Sequence, residues 1–300
     1  VPAAPRRPVA ITTGASAVPS ADKLKHGRRS IVRQTNGHAG EDAYFVFTSD
    51  DRGVDEPVSC VMGVADGVGM WTEQGIDAGR YSRHLMHSAR EAITEGSITS
   101  PYRILSYAYE KTTVVDRLKG SCTACIASLS WEDGVVEAVN LGDSGIIVIR
   151  GPNVVFRSPE QEHFFGCPYQ LGHASTTRPA HAQRVYIDVE PGDVVVLASD
   201  GLFDNLSERM VGRLVHTRLC PPQYDHTTGH QIPAQHATAP RVDVPDLARA
   251  LVTAAYANSI DSSKDTPWSI AASQEWDLPI SGGKVDDIAV VVGYITERPE

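Results

Sequence analysis

No apolar run in this 300-residue sequence approaches the ~18 residues of a membrane-spanning helix. The longest, at 194–198, has the length of a buried strand. Internal repeats are also missing, which excludes solenoids. Cysteines are few, odd in number and scattered: Cys60, Cys122, Cys125, Cys167 and Cys220. That pattern excludes a disulfide framework and fits free thiols in a reducing, intracellular compartment. Cys122 and Cys125 form a CxxC, but no second pair completes a zinc site. They also enter an apolar run that reads as strand, where residues three apart face opposite ways. Acids are nearly missing between Val1 and Arg33, a stretch with seven Lys/Arg and one acid, Asp22. The net charge of −10 therefore leaves about −16 on the remainder. An acidic body repels phosphate backbones, which argues against nucleic-acid binding, and it suits the collection of divalent cations.

The composition, 41% hydrophobic and 21% charged, is that of an ordinary globular protein able to bury a sizeable core. Residues 1–27 read as a basic, disordered tail or the remains of an organelle transit segment. Because the chain begins at Val1, the true N-terminus is expected to lie outside it. Residues 28–298 read as a single domain. It carries an insertion at 219–243, rich in Pro, His, Gln and Thr and without apolar period. His226, His230 and His236 fall there; without flanking Cys or a rigid frame they read as a solvated loop.

Short apolar runs predict strands at 43–47, 58–64, 123–130, 135–141, 146–150, 154–157, 185–189, 194–199 and 288–296. Asp133-Gly134 and Gly151-Pro152-Asn153 mark tight turns between neighbouring runs. Helical spacing predicts helices at 76–94, 101–118, 207–219 and 244–260. Strands in antiparallel blocks and helices in pairs give an α+β protein.

The informative feature is where the acids fall. Val61-Met62-Gly63-Val64-Ala65 runs into Asp66-Gly67, and Val194 to Ser199 runs into Asp200-Gly201. Asp286-Asp287 precedes Ile288-Ala289-Val290-Val291-Val292, and Glu41-Asp42 precedes Ala43-Tyr44-Phe45. A buried strand delivers its terminal side chain to a fixed point, and glycine lets a ligand approach. Carboxylates gathered this way repel and need a proton or a cation. Oxygen ligands without His or Cys favour Mg²⁺ or Mn²⁺ over zinc.

These segments resemble the PP2C family of metal-dependent protein phosphatases, in its mitochondrial-type branch. The matching pieces are Gly40-Glu41-Asp42-Ala43, Gly63-Val64-Ala65-Asp66-Gly67-Val68-Gly69 and Gly120-Ser121-Cys122-Thr123-Ala124-Cys125. Asn140-Leu141-Gly142-Asp143-Ser144-Gly145, Ser199-Asp200-Gly201-Leu202-Phe203-Asp204-Asn205 and Gly282-Gly283-Lys284-Val285-Asp286-Asp287-Ile288 continue the series in family order. The resemblance implies a four-layer sandwich, two packed antiparallel β-sheets flanked by α-helices. It implies two Mg²⁺ or Mn²⁺ ions. Asp66 would bridge them, the Gly67 carbonyl would bind one, and Glu41, with Asp42 beside it, would anchor the same ion. Asp200 and Asp286 would hold the other. Asp143 and Asp204 match a third, weaker site; Asp143 equally suits a hairpin turn and Asp204 a helix N-cap. The implied activity is hydrolysis of phosphoserine and phosphothreonine in a phosphorylated protein substrate. An ion-bridged water would attack in line with the departing oxygen, with no covalent phospho-enzyme. The implied protein is a monomer, and relatives in this branch are often mitochondrial. The alternatives are a non-catalytic binding scaffold of the same fold and a metallophosphatase for a small phosphorylated metabolite.

Two positions depart from the family pattern. Val68 stands where many relatives have a His proposed as general acid, and Gly37 where many have a phosphate-binding Arg. His38 and His163 are substitutes by residue type alone. Gly142-Asp143-Ser144-Gly145 also has the look of a serine-protease nucleophile stretch. However, Ile146 replaces the next glycine, and the flanking strands read as a hairpin.

Overall fold

A computed structural model describes residues 8–25, 36–48, 58–221 and 242–298. Strand β1 (Val9–Val18) and a short helix α1 (Ala21–Lys25) lead into β2 (Asn36–Ala39), β3 (Asp42–Thr48) and β4 (Val58–Ala65). Helices α2 (Ala78–Thr94) and α3 (Pro101–Tyr109) follow. Then come β5 (Ser121–Cys122), β6 (Ala124–Ser130), β7 (Val135–Leu141), β8 (Gly145–Arg150) and β9 (Asn153–Arg157). The small strands β10 (Glu162–Phe164), β11 (Cys167–Pro168) and β12 (Leu171–Gly172) precede β13 (Gln183–Asp188) and β14 (Val194–Ala198). Helices α4 (Asp200–Phe203), α5 (Glu208–Leu219), α6 (Val244–Ser259) and α7 (Pro267–Trp276) lead to β15 (Ile288–Glu297).

Two antiparallel sheets result. One has the order β1-β15-β14-β8-β9 and the other β13-β7-β6-β4-β3-β2. Their facing sides bury Val46, Met62, Val64, Cys125 and Leu129 against Ile146, Val148, Leu197 and Val291. The outer face of the six-stranded sheet packs on α2 and α3 through Phe45, Leu85, Ile104 and Ile126. The outer face of the five-stranded sheet packs on α5 and α6 through Val196, Val211, Leu251 and Val290. This is the expected four-layer sandwich. Among the described residues no helix is long and apolar enough to cross a membrane.

Alternation explains the CxxC. Cys122 faces the helix layer and Cys125 the layer between the sheets, so the two thiols point into different cores. Both are free and fully buried, and burial pushes the Cys125 thiol up to about 12. The turn readings also hold. Gly134 and Gly151, at φ +59° and +58°, close the β6–β7 and β8–β9 hairpins.

Three expectations need correction. The disordered tail over 1–27 fails at Val9–Val18, which pairs in register with β15 over its whole length, from Val9↔Glu297 to Val18↔Ile288. The run VAITTGASAV carries Gly, Ser and Ala where a strand is usually bulkier, so pairing with β15 and not propensity decides its state. The segment between β7 and β8 is not a hairpin, because β7 belongs to the six-stranded sheet and β8 to the five-stranded one. The helix over 101–118 is α-helical only to Tyr109 and widens into a π-turn at Glu110–Val115. The 219–243 insertion lies largely outside the described residues, and so do His226, His230 and His236.

Candidate metal centre

The pairing registers bring one set of strand ends together. Ala65 pairs with Ala43, Ala124 with Leu141, Ala198 with Gly145, and Val18 with Ile288. Asp66 follows β4, Asp200 follows β14, and Asp286 lies two residues before β15. Asp42 opens β3, with Glu41 in the turn before it. Asp143 lies on the link that passes from one sheet to the other, which carries it between the sheets to the same edge. Gly142, at φ +100°, makes that link, and a Cβ there would sit 2.7 Å from the Tyr169 carbonyl.

Asp66, Asp143 and Asp200 each place a carboxylate oxygen so that all three lie within 4.8 Å of one another. Their charges are far from ordinary. Burial first, then the charge of Asp200, drives Asp66 well above the usual carboxylate range, and the same two causes raise Asp143. Asp200, opposed by its burial, is held low by Lys284, and the neighbouring Asp66 carboxyl adds to this. Asp286 is pushed up to about 6 and Asp204 to about 7. Burial leads in both; Asp200 adds to the rise and Lys284 opposes it.

Two ammonium groups share the work of compensation. Lys284 Nζ donates to Asp200 Oδ2 and, at 2.7 Å, to Asp204 Oδ2, and lies 3.2 Å from Asp286 Oδ2. Lys23, on α1, bonds to Glu41 and to Asp287. Asp287 is buried and also accepts from the amides of Ser20 at 2.8 Å and Glu41 at 2.7 Å. It thus ties the N-terminal segment to the Glu41 turn. A Cβ on Gly40, at φ +57°, would fall 2.2 Å from this carboxylate, so only glycine fits the turn. Asp42 is fully buried and pushed well above its ordinary value by burial and by Asp287. Ser199 Oγ donates to its Oδ2 at 2.6 Å.

The site suits hard cations on an observation independent of any relative. Among the described residues no amide, hydroxyl or ammonium group reaches the buried oxygens Asp42 Oδ1, Asp143 Oδ1 and Asp200 Oδ1. Unpartnered buried carboxylate oxygens are costly, and an all-oxygen set is the ligand chemistry of Mg²⁺ or Mn²⁺.

Comparison with known proteins agrees with this geometry. A family profile described as "Stage II sporulation protein E (SpoIIE)" matches residues 57–239. The chain is 35% identical over 298 residues to "Probable protein phosphatase 2C 55" of Arabidopsis thaliana, covering 98% of this chain and 54% of that protein. It is 34% identical over 291 residues to "Protein phosphatase PTC7 homolog fig" of Drosophila willistoni, covering 91% of this chain and 84% of that one. The chain belongs to the protein phosphatase 2C family. The solved structure of the photosystem II phosphatase PBCP superimposes with a TM-score of 0.74 at 27% identity, over 96% of this chain and all of that one. The catalytic domain of the phosphatase PstP in complex with two manganese ions shares the fold at a TM-score of 0.54 and 15% identity, over 96% of this chain and 99% of that one. The chain spans about half the length of the plant protein above.

Within this PP2C fold the departures can be placed. Val68 donates its amide to the Ser121 carbonyl at 3.0 Å, and Gly37 faces the ring of Tyr44. His163 stacks on Tyr169 with ring centres 4.4 Å apart, and His38 is exposed. Asp204 is not an N-cap: it closes the C-terminal end of α4, and Ser207 caps α5 by accepting from the Met210 amide. Sequence reasoning passed over Lys23, Lys284 and Asp287. The GGK and Asp-Asp spellings beside Asp286 were the available signals for the last two.

Two outcomes follow from this chemistry. A carboxyl group whose folded value lies above its unfolded one stabilises the fold at low pH, and the contribution drains as pH rises through the folded value. With chelator present, the melting temperature should therefore fall between about pH 4 and about pH 7, the window set by Asp286 and Asp204. Saturating Mn²⁺ should reverse the part of the fall that comes from Asp286, because an ion's ligands bind deprotonated. A melting temperature that climbs across that window in chelator would contradict the assignment. Separately, Ser199→Ala removes the donor to Asp42 and the acceptor of the Ala289 amide. It should cost about 1–3 kcal/mol in urea unfolding, and an unchanged midpoint would show Asp42 to be satisfied otherwise.

Proposed function

We propose that this chain is a Mg²⁺- or Mn²⁺-dependent phosphatase that hydrolyses phosphoserine and phosphothreonine in phosphorylated proteins. One observation carries the proposal: three carboxylates from distant parts of the sequence offer oxygens within 4.8 Å of one another at a shared strand edge. Asp66 and Asp200 would hold the ions together with Asp286, with the Gly67 carbonyl and Glu41 on one side and Asp42 behind. Asp143 joins the Asp66–Asp200 pair by its position. Bound there, two divalent ions would acidify water and offset charge on phosphoryl oxygens.

The chain's own part is placement. Gly67 must stay small, since a Cβ would lie 2.7 Å from the Glu41 carbonyl and 2.8 Å from that of Ala78. The backbone of the Asp66 loop is fixed to β5 and β6: the Thr123 amide donates to the Asp66 carbonyl at 2.9 Å, and the Asp66 amide donates to Thr123 Oγ1 at 3.2 Å. Rigid loops of this kind hold ligands within the tolerance that such chemistry requires.

One phosphatase domain over 28–298, lengthened at its start by β1, is part of the proposal. So are a monomeric state, the absence of nucleic-acid binding and a mitochondrial location. Those rest on the acidic body, the basic stretch from Val1 to Arg33 and the branch the motifs resemble. Light scattering tests the first, and a fluorescent fusion of the full-length protein tests the last. Release of phosphate from a phosphothreonine peptide, with Mn²⁺ and with chelator, tests the activity. Release only with Mn²⁺ is expected. No release at all would favour a scaffold, and turnover confined to small phosphorylated metabolites would favour the metabolite enzyme.

A further inference from the structure

Lys284 sits where three carboxylates meet, and its place does not depend on its own flexible chain alone. Asn205, buried next to Asp204, grips the lysine's backbone on both sides. Its Oδ1 accepts from the Lys284 amide at 3.0 Å, and its Nδ2 donates to the Lys284 carbonyl at 2.9 Å. The same Nδ2 donates to the Gly201 carbonyl at 3.0 Å, and Asn258 Nδ2 donates to the Asn205 carbonyl at 2.9 Å. The backbone that carries the ammonium is thereby clamped to α4, the helix that carries Asp200 and leads to Asp204.

The two oxygens of Asp200 are divided. Oδ2 is taken by Lys284, whereas among the described residues no amide, hydroxyl or ammonium reaches Oδ1. Asp204 spends its Oδ2 on the same ammonium. Lys284 pairs with Asp200, Asp204 and Asp286, whereas its charge acts on Asp143 without an ion pair. The Asp143 oxygen lies with those of Asp66 and Asp200, and its Oδ1 is buried without a partner among the described residues. The pair Asp143 and Asp204, expected from the sequence to serve one third site, is therefore split. Asp143 faces the open carboxylates, and Asp204 faces a cation the chain supplies itself.

We infer that Lys284 is the resident cation of the Asp204 side of the site, so that the protein takes up divalent ions only on the Asp66 side and Asp204 is not an ion ligand. An ammonium fixed among Asp200, Asp204 and Asp286 neutralises charge that would otherwise attract a further divalent ion, and repels one that approaches. This rests on the ion-holding role proposed for Asp66 and Asp200.

Counting bound ions tests it without reference to activity. Native mass spectrometry of Mn²⁺-saturated protein should give two ions for wild type and for Lys284→Arg. Lys284→Met should give three, and Lys284→Met with Asp204→Asn should return to two. Two ions in Lys284→Met, or three in wild type, would overturn the inference. Should the Met variant fail to fold, anomalous diffraction from Mn²⁺-soaked wild-type crystals decides. Peaks confined to the Asp66 side, with Lys284 still on Asp204, support it. A peak bound by Asp204 sinks the Lys284 inference alone, and the absence of any peak at Asp66 and Asp200 sinks the ion-site reading itself.

Discussion

Asp66→Asn should lower kcat/KM toward a phosphothreonine peptide by about 10³-fold or more, with the fold intact. Asparagine keeps the shape and the loop hydrogen bonds of the Asp66 backbone, which run to Thr123. It removes the charge shared across the three-carboxylate cluster. Ions that polarise phosphoryl oxygens and water lower the barrier enough for such a loss, since about 1.4 kcal/mol is tenfold in rate. The chelator-treated variant should melt no lower than chelator-treated wild type, because burial and the charge of Asp200 already disfavour a charged Asp66 there. A variant that keeps a tenth of wild-type activity would show that the ions lie elsewhere.

The second large effect is expected from a residue that touches no ion. A Cβ on Gly201 would fall 2.0 Å from the Asp287 carbonyl oxygen and 3.0 Å from its carbon. Both are backbone atoms at the head of β15 and cannot swing aside. Gly201→Ala must push α4 from that strand, which separates Asp200 from Asp286. Misplacement of about 1 Å at such a site costs on the order of 10²-fold in rate, and overpacking of this kind costs about 1–3 kcal/mol of stability. The expected result is a loss of about 100-fold in kcat/KM, measured at saturating Mn²⁺, with a folded circular dichroism spectrum. Activity within threefold of wild type would mean that the two carboxylates tolerate being moved apart.

Much of this was legible in the sequence because the strands that matter are apolar and punctuated by Asp-Gly. Val194 to Ala198 is wholly buried, so the run ends where the sheet ends, and Asp200 inherits its place from the strand. The same logic located Asp66 and Asp286. It could not locate Asp143, because two apolar runs around a glycine turn look the same whether they pair or part into different sheets. Only the register of β7 with β13 and of β8 with β14 separates those outcomes. Strand β1 escaped for a related reason: its state is set by a partner at the far end of the chain, and its own residues are weak strand formers. Helix α7 escaped because its apolar residues form no single stripe. Its start is fixed instead by Thr266, which accepts from the Ser269 amide, and by Pro267 at the first turn. Lys23 and Lys284 carry no periodicity at all, and their roles emerge only when distant carboxylates are brought beside them.

Carboxyl groups raised above their usual range should release protons when hard cations bind them. Calorimetric titration of Mn²⁺ into the metal-stripped protein near neutral pH, repeated in two buffers of different ionisation enthalpy, measures that exchange directly. Saturable binding with proton release in wild type, and loss of both in Asp66→Asn, is the expected result. Binding without proton release, or the same titration curve in the two proteins, would contradict it.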